Sequence, residues 1–238
     1  MTRRRWIADE VKANRASLIG AHADHLVRVL RARVGQEFDI VAGPVIRRGR
    51  VAAIADGRVD FELAEEIASG VAVPSLTLLL AIFKFDRMEW AIEKAAELGV
   101  SRIIPIVARR SEAHLAAASA KRAERWRRIA LQAAEQSRRS APPEIADPIK
   151  LREGTALPGQ LKIVLSESEQ RSQLADILAA QAKDEVLLAV GPEGGWTDDE
   201  MQVFQEAGWI SASLGPTILR AETAAIAAVA ITMSELSR

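Results

Sequence analysis

The sequence predicts an α/β protein with a small β-rich amino-terminal domain and a larger domain built on a mainly parallel sheet. Three observations lead there. Short apolar runs separated by turn residues fill positions 1–72, buried runs alternating with helical periodicity fill 73–238, and two of the last strands end in glycine-containing loops. Strands alternating with helices are the pattern of a parallel sheet covered by helices. A chain of 238 residues can form two domains with proper cores and no disulfide support.

In the first domain, Glu37 to Ala42, Val51 to Ala55 and Val59 to Leu63 read as strands, punctuated by Gly43-Pro44 and Asp56-Gly57. An Asp-Gly pair between alternating runs supplies the positive φ angles that a tight hairpin turn demands. In the second, Leu76 to Phe83 is a continuous apolar run, as expected of a strand buried on both faces. Met88, Ala91, Ile92, Ala95 and Leu98 recur at helical spacing, and Gly99 follows as a C-cap. Arg102 to Val107 is the next strand, and Lys121 to Arg139 a long basic helix closed by Pro142-Pro143. Residues 141–159 read as the loop-rich segment. Leu161 to Ser166, Glu185 to Val190 and Ile210 to Leu214 are further strands, each next to a helical stretch.

The absence of cysteine removes disulfides, thiolate metal sites and thiol nucleophiles together. His22, His25 and His114 lack metal-ligand spacing and read as surface or structural residues, so no metal is expected. None of the 14 glycines forms a G-x-G, which excludes the dinucleotide fingerprint, and there is no Walker A loop. The start, Met1 to Trp6, is charged and leads into Asp9, Glu10 and Lys12, so it does not read as a signal peptide. No apolar run approaches membrane-span length, and a soluble, cytoplasmic protein with no membrane partner is expected.

Net charge is zero, which by itself argues against a polyanionic partner. Its distribution does not. Residues 1–50 hold 11 Arg and Lys against 5 Asp and Glu, a balance of +6; residues 121–139 hold 7 against 2, or +5; residues 184–238 hold 2 against 9, or −7. Such asymmetry fits basic RNA-facing surfaces on an acidic remainder, and equally ordinary solvated faces.

The two loops carry the most information. Leu187 to Val190 runs into Gly191-Pro192-Glu193-Gly194-Gly195-Trp196, and Thr197 with Glu200 has the spacing of a capping box. Ile210 to Leu214 runs into Gly215-Pro216-Thr217-Ile218-Leu219-Arg220-Ala221-Glu222-Thr223, ahead of an Ala-rich helix. Glycines let a ligand approach the backbone, and parallel sheets bind ligands beyond the carboxyl ends of their strands. Either loop alone is compatible with a plain strand-to-helix turn. A glutamate flanked by three glycines, joined by Arg-x-Glu-Thr in the second loop, points to a ligand site.

These residues carry a resemblance. Gly191 to Gly195, with Leu214-Gly215 and Ile218 to Ala224, resembles the signature of the 16S ribosomal RNA uracil-N3 methyltransferases of the trefoil-knot superfamily. The similarity covers nearly the whole chain: His25 to Gly35 resembles that family's amino-terminal motif, Met88-Glu89 with Lys94 to Val100 its first helix, and Trp126 to Ser137 with Pro143-Glu144-Ile145 its basic helix and following loop. The resemblance implies a PUA-like RNA-binding β-barrel at 1–72 and a knotted methyltransferase domain at 73–238. It implies S-adenosyl-L-methionine as cofactor, 16S rRNA in the small ribosomal subunit as partner, and a homodimer. By position it places Leu165, Val190, Gly191, Glu193, Gly194, Leu214, Gly215, Ile218 and Leu219 against the cofactor. Arg28 and Arg31 in the first motif, and Arg127 and Arg128 in the basic helix, are the candidate RNA contacts. One departure stands out: family members often carry Arg or Lys where this chain has Thr217.

The chemistry agrees with that target. Methylation at C5 of uracil normally needs a nucleophile, usually cysteine, whereas N3 needs only removal of a weakly acidic proton and stabilisation of charge on the flanking carbonyls. Arg220 suits the second task and Glu222 the first. Glu222 equally fits a plain helix-start carboxylate favoured by the macrodipole. Other RNA targets or a ribose hydroxyl acceptor, a non-catalytic RNA-binding protein, and a small-molecule-binding α/β protein remain as alternatives.

Overall fold

A computed structural model describes residues 5–43, 45–69, 75–137, 139, 141–181 and 184–236. Pro44 and the expected boundary between 72 and 73 lie outside the described residues. The chain divides into two compact units, residues 1–73 with 138–141 and residues 74–137 with 142–238.

The first unit holds β1 (Arg5–Ile7), β2 (Glu10–Lys12), β3 (Arg15–Ile19), α1 (Ala21–Asp24) running into a π-helical turn (His25–Val29), β4 (Glu37–Ala42), β5 (Val45–Ala55) and β6 (Arg58–Ser69). These strands form one curled, mixed sheet in the order β1-β4-β5-β6-β3-β2, with β1 parallel to β4 and the other pairs antiparallel. Asp56-Gly57 makes the β5–β6 turn, with Gly57 at φ 64. Both hairpin strands run well beyond the expected Val51–Ala55 and Val59–Leu63. Register shifts at Ile46/Arg47, Arg47/Gly49 and Val51/Ala53 explain the difference, because each bulge interrupts the period-two alternation and bends the sheet. Leu18, Leu26, Ile40, Val59 and Phe61 are fully buried inside the curl. Gly49 is required there, since a Cβ would overlap the Ile40 side chain.

The second unit runs β7 (Ser75–Ala81), α2 (Phe85–Leu98), β8 (Arg102–Val107), α3 (Ala113–Gln136), β9 (Glu144–Ile145), β10 (Ile149–Lys150), α4 (Leu151–Thr155), β11 (Leu161–Leu165), α5 (Leu174–Ala180), β12 (Glu185–Val190), α6 (Asp198–Glu206), β13 (Ile210–Ala212) and α7 (Ala221–Leu236). Its sheet has the order β10-β8-β7-β12-β11-β13, with β9 beside β8 and every pairing parallel. Leu76, Leu78 and Leu80 of β7 join the core under α2, α3, α5 and α7, while Leu79 and Ala81 join a second core with Leu151 of α4 and Phe204 of α6. The central strand is therefore covered on both faces, the reason it reads as a continuous apolar run.

Several boundaries differ from expectation. Helix α3 begins at Ala113 and ends at Gln136 rather than spanning 121–139, because the Ala-rich stretch before Lys121 continues the helical face that buries Ser119, Ala123 and Trp126. The segment 141–159 is not a bare loop: it carries β9, β10 and α4, elements of two to five residues that show no period. Gly99 ends α2 at φ 109 as expected. Among the described residues no helix is long and apolar enough to cross a membrane.

Candidate cofactor site

Parallel pairing places the carboxyl ends of β11, β12 and β13 side by side, and the loops that leave them enclose a cleft of 270 Å³. One wall is apolar, from Leu165, Val190, Leu214, Ile218 and Leu219. Another is backbone, from Gly191, Pro192, Gly195 and Gly215. Gly195 and Gly215 need their freedom, with φ of 69 and 124. Gly191 is needed for space: a Cβ there would sit 3.2 Å from Trp196 Nε1.

The first loop is pinned at several points. The indole N–H of Trp196 donates to the Leu165 carbonyl at 3.1 Å, tying the end of β12 to the end of β11. Arg110 Nη1 donates to the carbonyls of Gly194 and Trp196. The expected capping box is present: Thr197 Oγ1 accepts from the Glu200 N–H, and Glu200 Oε2 accepts from the Thr197 N–H at 2.9 Å. The other oxygen of Glu200 accepts from the Arg109 N–H at 2.7 Å, so one buried carboxylate joins the start of α6 to the loop after β8. In the loop after β11, the N–H groups of Arg171 and Ser172 hold the Glu169 carboxyl below the usual carboxylate range.

Of the residues placed against the cofactor from the sequence, Leu165, Val190, Gly191, Glu193, Leu214, Gly215, Ile218 and Leu219 line this cleft. Gly194 does not; the Cβ it lacks would face Arg110 Cδ at 3.2 Å, so its role is to admit the arginine that clamps the loop. Arg220 is exposed and outside the lining, with no side-chain partner among the described residues. Glu222 is also outside the lining, buried in the first turn of α7 at 4% exposure. Its Oε1 lies 3.8 Å from Arg87 Nε, and its Oε2 is buried without a hydrogen-bond partner among the described residues.

The four candidate RNA contacts separate. Arg28 is exposed on the π turn, 3.6 Å from Asp24, and Arg31 is exposed at φ 52. Arg128 is exposed on α3. Arg127 is committed elsewhere: it donates to Asp147 at 2.6 Å and to the Ile145 carbonyl, and the Asp147 hydrogen bond raises its pKa above the ordinary guanidinium value. Sequence reading missed Arg87, Arg110, Glu167, Trp196 and Asp198. The usable signal was that Arg110 closely follows a parallel strand at its carboxyl end, on the ligand side of the sheet.

The charged groups on the cleft wall are Glu167, Glu193 and Asp198 against Arg110, whose guanidinium is spent on carbonyls. Such a wall disfavours polyphosphates and complements a cationic ligand. S-adenosylmethionine fits: its sulfonium and ammonium match the carboxylates, and its purine matches the apolar wall and the glycine backbone.

Comparison with known proteins agrees. Residues 72–233 match the family described as RNA methyltransferase domain. Ribosomal RNA small subunit methyltransferase E of Aquifex aeolicus is 30% identical, over 96% of this chain and 98% of that protein. The protein of the same name from Synechocystis is 33% identical, over 90% of this chain and 71% of its own length. Among solved structures, a ribosomal RNA small subunit methyltransferase E from Neisseria gonorrhoeae bound to S-adenosyl methionine is 30% identical, covers 98% of both chains and superposes with a TM-score of 0.82.

Proposed function

Because the chain belongs to the ribosomal RNA small subunit methyltransferase E family, we propose that it methylates N3 of a uridine in 16S rRNA of the small ribosomal subunit, using S-adenosylmethionine, in the cytoplasm and as a homodimer. The observation that carries this reading is the glycine-walled, acid-lined cleft at the carboxyl ends of β11, β12 and β13. When bound, the cofactor supplies an electrophilic methyl group. The protein's part is to seat it and prepare the base. Leu165, Val190, Leu214 and Leu219 exclude water from one side, and Glu193 offers a carboxylate to positive charge. Arg220, an uncommitted guanidinium beside the cleft, is assigned to the uracil carbonyls, where a preorganised cation stabilises developing negative charge. Glu222, with an acceptor oxygen lacking a donor, is assigned to the N3 proton.

A second copy of the chain is supported by α7. From Ala224 to Ile231 this helix is apolar on every side, and Ile226, Ala227 and Ala230 stay only partly covered; Ile218, in the loop before the helix, is 83% exposed. A helix apolar all round is ordinarily buried. Arg28, Arg31 and Arg128 are assigned to RNA phosphates.

The test is incubation with methyl-labelled cofactor and small subunits lacking the modification, then digestion to nucleosides. Label in 3-methyluridine is expected; label in a ribose-methylated or C5-methylated nucleoside overturns the assignment. Single-turnover rates assign the residues: Arg220→Ala should lose roughly 10²- to 10³-fold with cofactor affinity intact, and a wild-type rate would remove Arg220 from the chemistry.

A further inference from the structure

Arg87 belongs to neither glycine loop, yet it is ion-paired with a carboxylate on the cleft wall and with one buried at the head of α7. It is the third residue of α2, where a cation faces the positive end of the helix dipole, so its place is not explained by α2 itself. Its Nη1 lies 3.6 Å from Glu193 Oε1 on the cleft wall, and its Nε 3.8 Å from Glu222 Oε1 at the head of α7. Both separations are ion-pair distances longer than a good hydrogen bond, and the side chain makes no hydrogen bond among the described residues. The guanidinium is therefore balanced between two carboxylates and locked to neither. The carboxylates differ in access: Glu193 is 31% exposed and Glu222 is 5% exposed at the side chain.

We propose that Arg87 is a positioning residue shared between Glu193 and Glu222, and that a cationic cofactor held against Glu193 hands the guanidinium over to Glu222. The proposal rests on the reading of the cleft as the S-adenosylmethionine site. Two carboxylates facing one guanidinium leave one negative charge unmatched. Positive charge in the cleft competes with Arg87 for Glu193, and Glu222 takes up the guanidinium that is released. The demethylated product, S-adenosylhomocysteine, lacks the sulfonium charge and competes less. Arg87 thereby makes the grip on the ligand depend on its charge, and tells the head of α7 whether a methyl donor is present.

The test is calorimetric titration of both ligands into the full chain. Glu222→Gln takes away the alternative partner, so Arg87 stays on Glu193 and S-adenosylmethionine should bind about 5-fold or more weaker, the low end of ordinary site-to-site coupling. S-adenosylhomocysteine should change by less than about 2-fold, outside that coupling range. In an Arg87→Gln background the Glu222→Gln effect should vanish, and in an Arg87→Lys background, which keeps the charge, it should return. If Arg87→Gln does not fold, Glu193→Gln carries the same arm, because without that carboxylate there is nothing to share. Equal effects of Glu222→Gln in every background, or equal effects on both ligands, overturn the sharing alone. Failure of the wild-type chain to bind either ligand overturns the cofactor reading and this proposal with it.

Discussion

Gly191→Ala isolates one contact at the cleft wall. Gly191 is absent from the positive-φ positions, so alanine meets no backbone penalty and its cost is steric. The new methyl would lie 3.2 Å from Trp196 Nε1 and 3.3 Å from Cε2, inside normal contact distance. The indole cannot easily retreat. It is 9% exposed, donates to the Leu165 carbonyl at 3.1 Å and packs edge-on against Phe204 at 4.9 Å. Overpacking of this kind costs about 1–3 kcal/mol, and escape by breaking the buried indole hydrogen bond costs a similar amount. If the loop moves instead, the same energy appears as roughly 5- to 150-fold weaker cofactor binding, at about 1.4 kcal/mol per factor of ten. If the indole moves, it appears as a fall in Tm of roughly 2–4 °C per kcal/mol. Calorimetry with S-adenosylmethionine and thermal unfolding on one sample read both routes. Affinity within twofold and an unchanged Tm would refute the reasoning.

Four further outcomes are expected. Glu200→Ala orphans the N–H groups of Arg109 and Thr197 and removes the reciprocal half of the α6 capping box, leaving the Thr197 cap itself in place; denaturant unfolding should show a loss of about 2–4 kcal/mol, and a loss near zero would show the carboxylate is not structural. Arg128→Glu should lower the slope of log affinity for RNA against log salt by roughly 1, and an unaltered slope returns that face of α3 to solvent. By contrast, Arg127→Glu should act first on stability, through Asp147 and the Ile145 carbonyl. The Ser17 hydroxyl, and after it Arg58, hold the Asp60 carboxyl below its ordinary value. A lowered folded pKa stabilises above the unfolded value of about 4 and is lost as pH falls through the folded one. The stability gap between wild type and Ser17→Ala should therefore be widest near neutrality and shrink on acidification; a gap independent of pH would remove Asp60 as its source.

What the residues determine by themselves is what neighbours within four positions decide. The strands at 37–42, 102–107 and 185–190 have the expected bounds because their apolar runs sit between turn residues, and Gly99 ends α2 because only the chain next to it matters. The capping box of Thr197 and Glu200 is legible for the same reason. Most of the cleft lining was legible too, since Gly191 to Glu193 and Leu214 to Leu219 lie in two short loops that leave parallel strands on one side of the sheet. Tertiary structure decided the rest. Bulges hid the length of β5 and β6 from the alternation, and β9, β10 and α4 are too short to show a period. Arg110 clamps Gly194 across 84 positions, and Glu200 reaches Arg109 across 91. Arg87 meets its two carboxylates only because α2 and α7 cover the same face of the sheet. Charges pair through space with whatever the fold brings within a few ångströms, and no local pattern in the sequence records that distance.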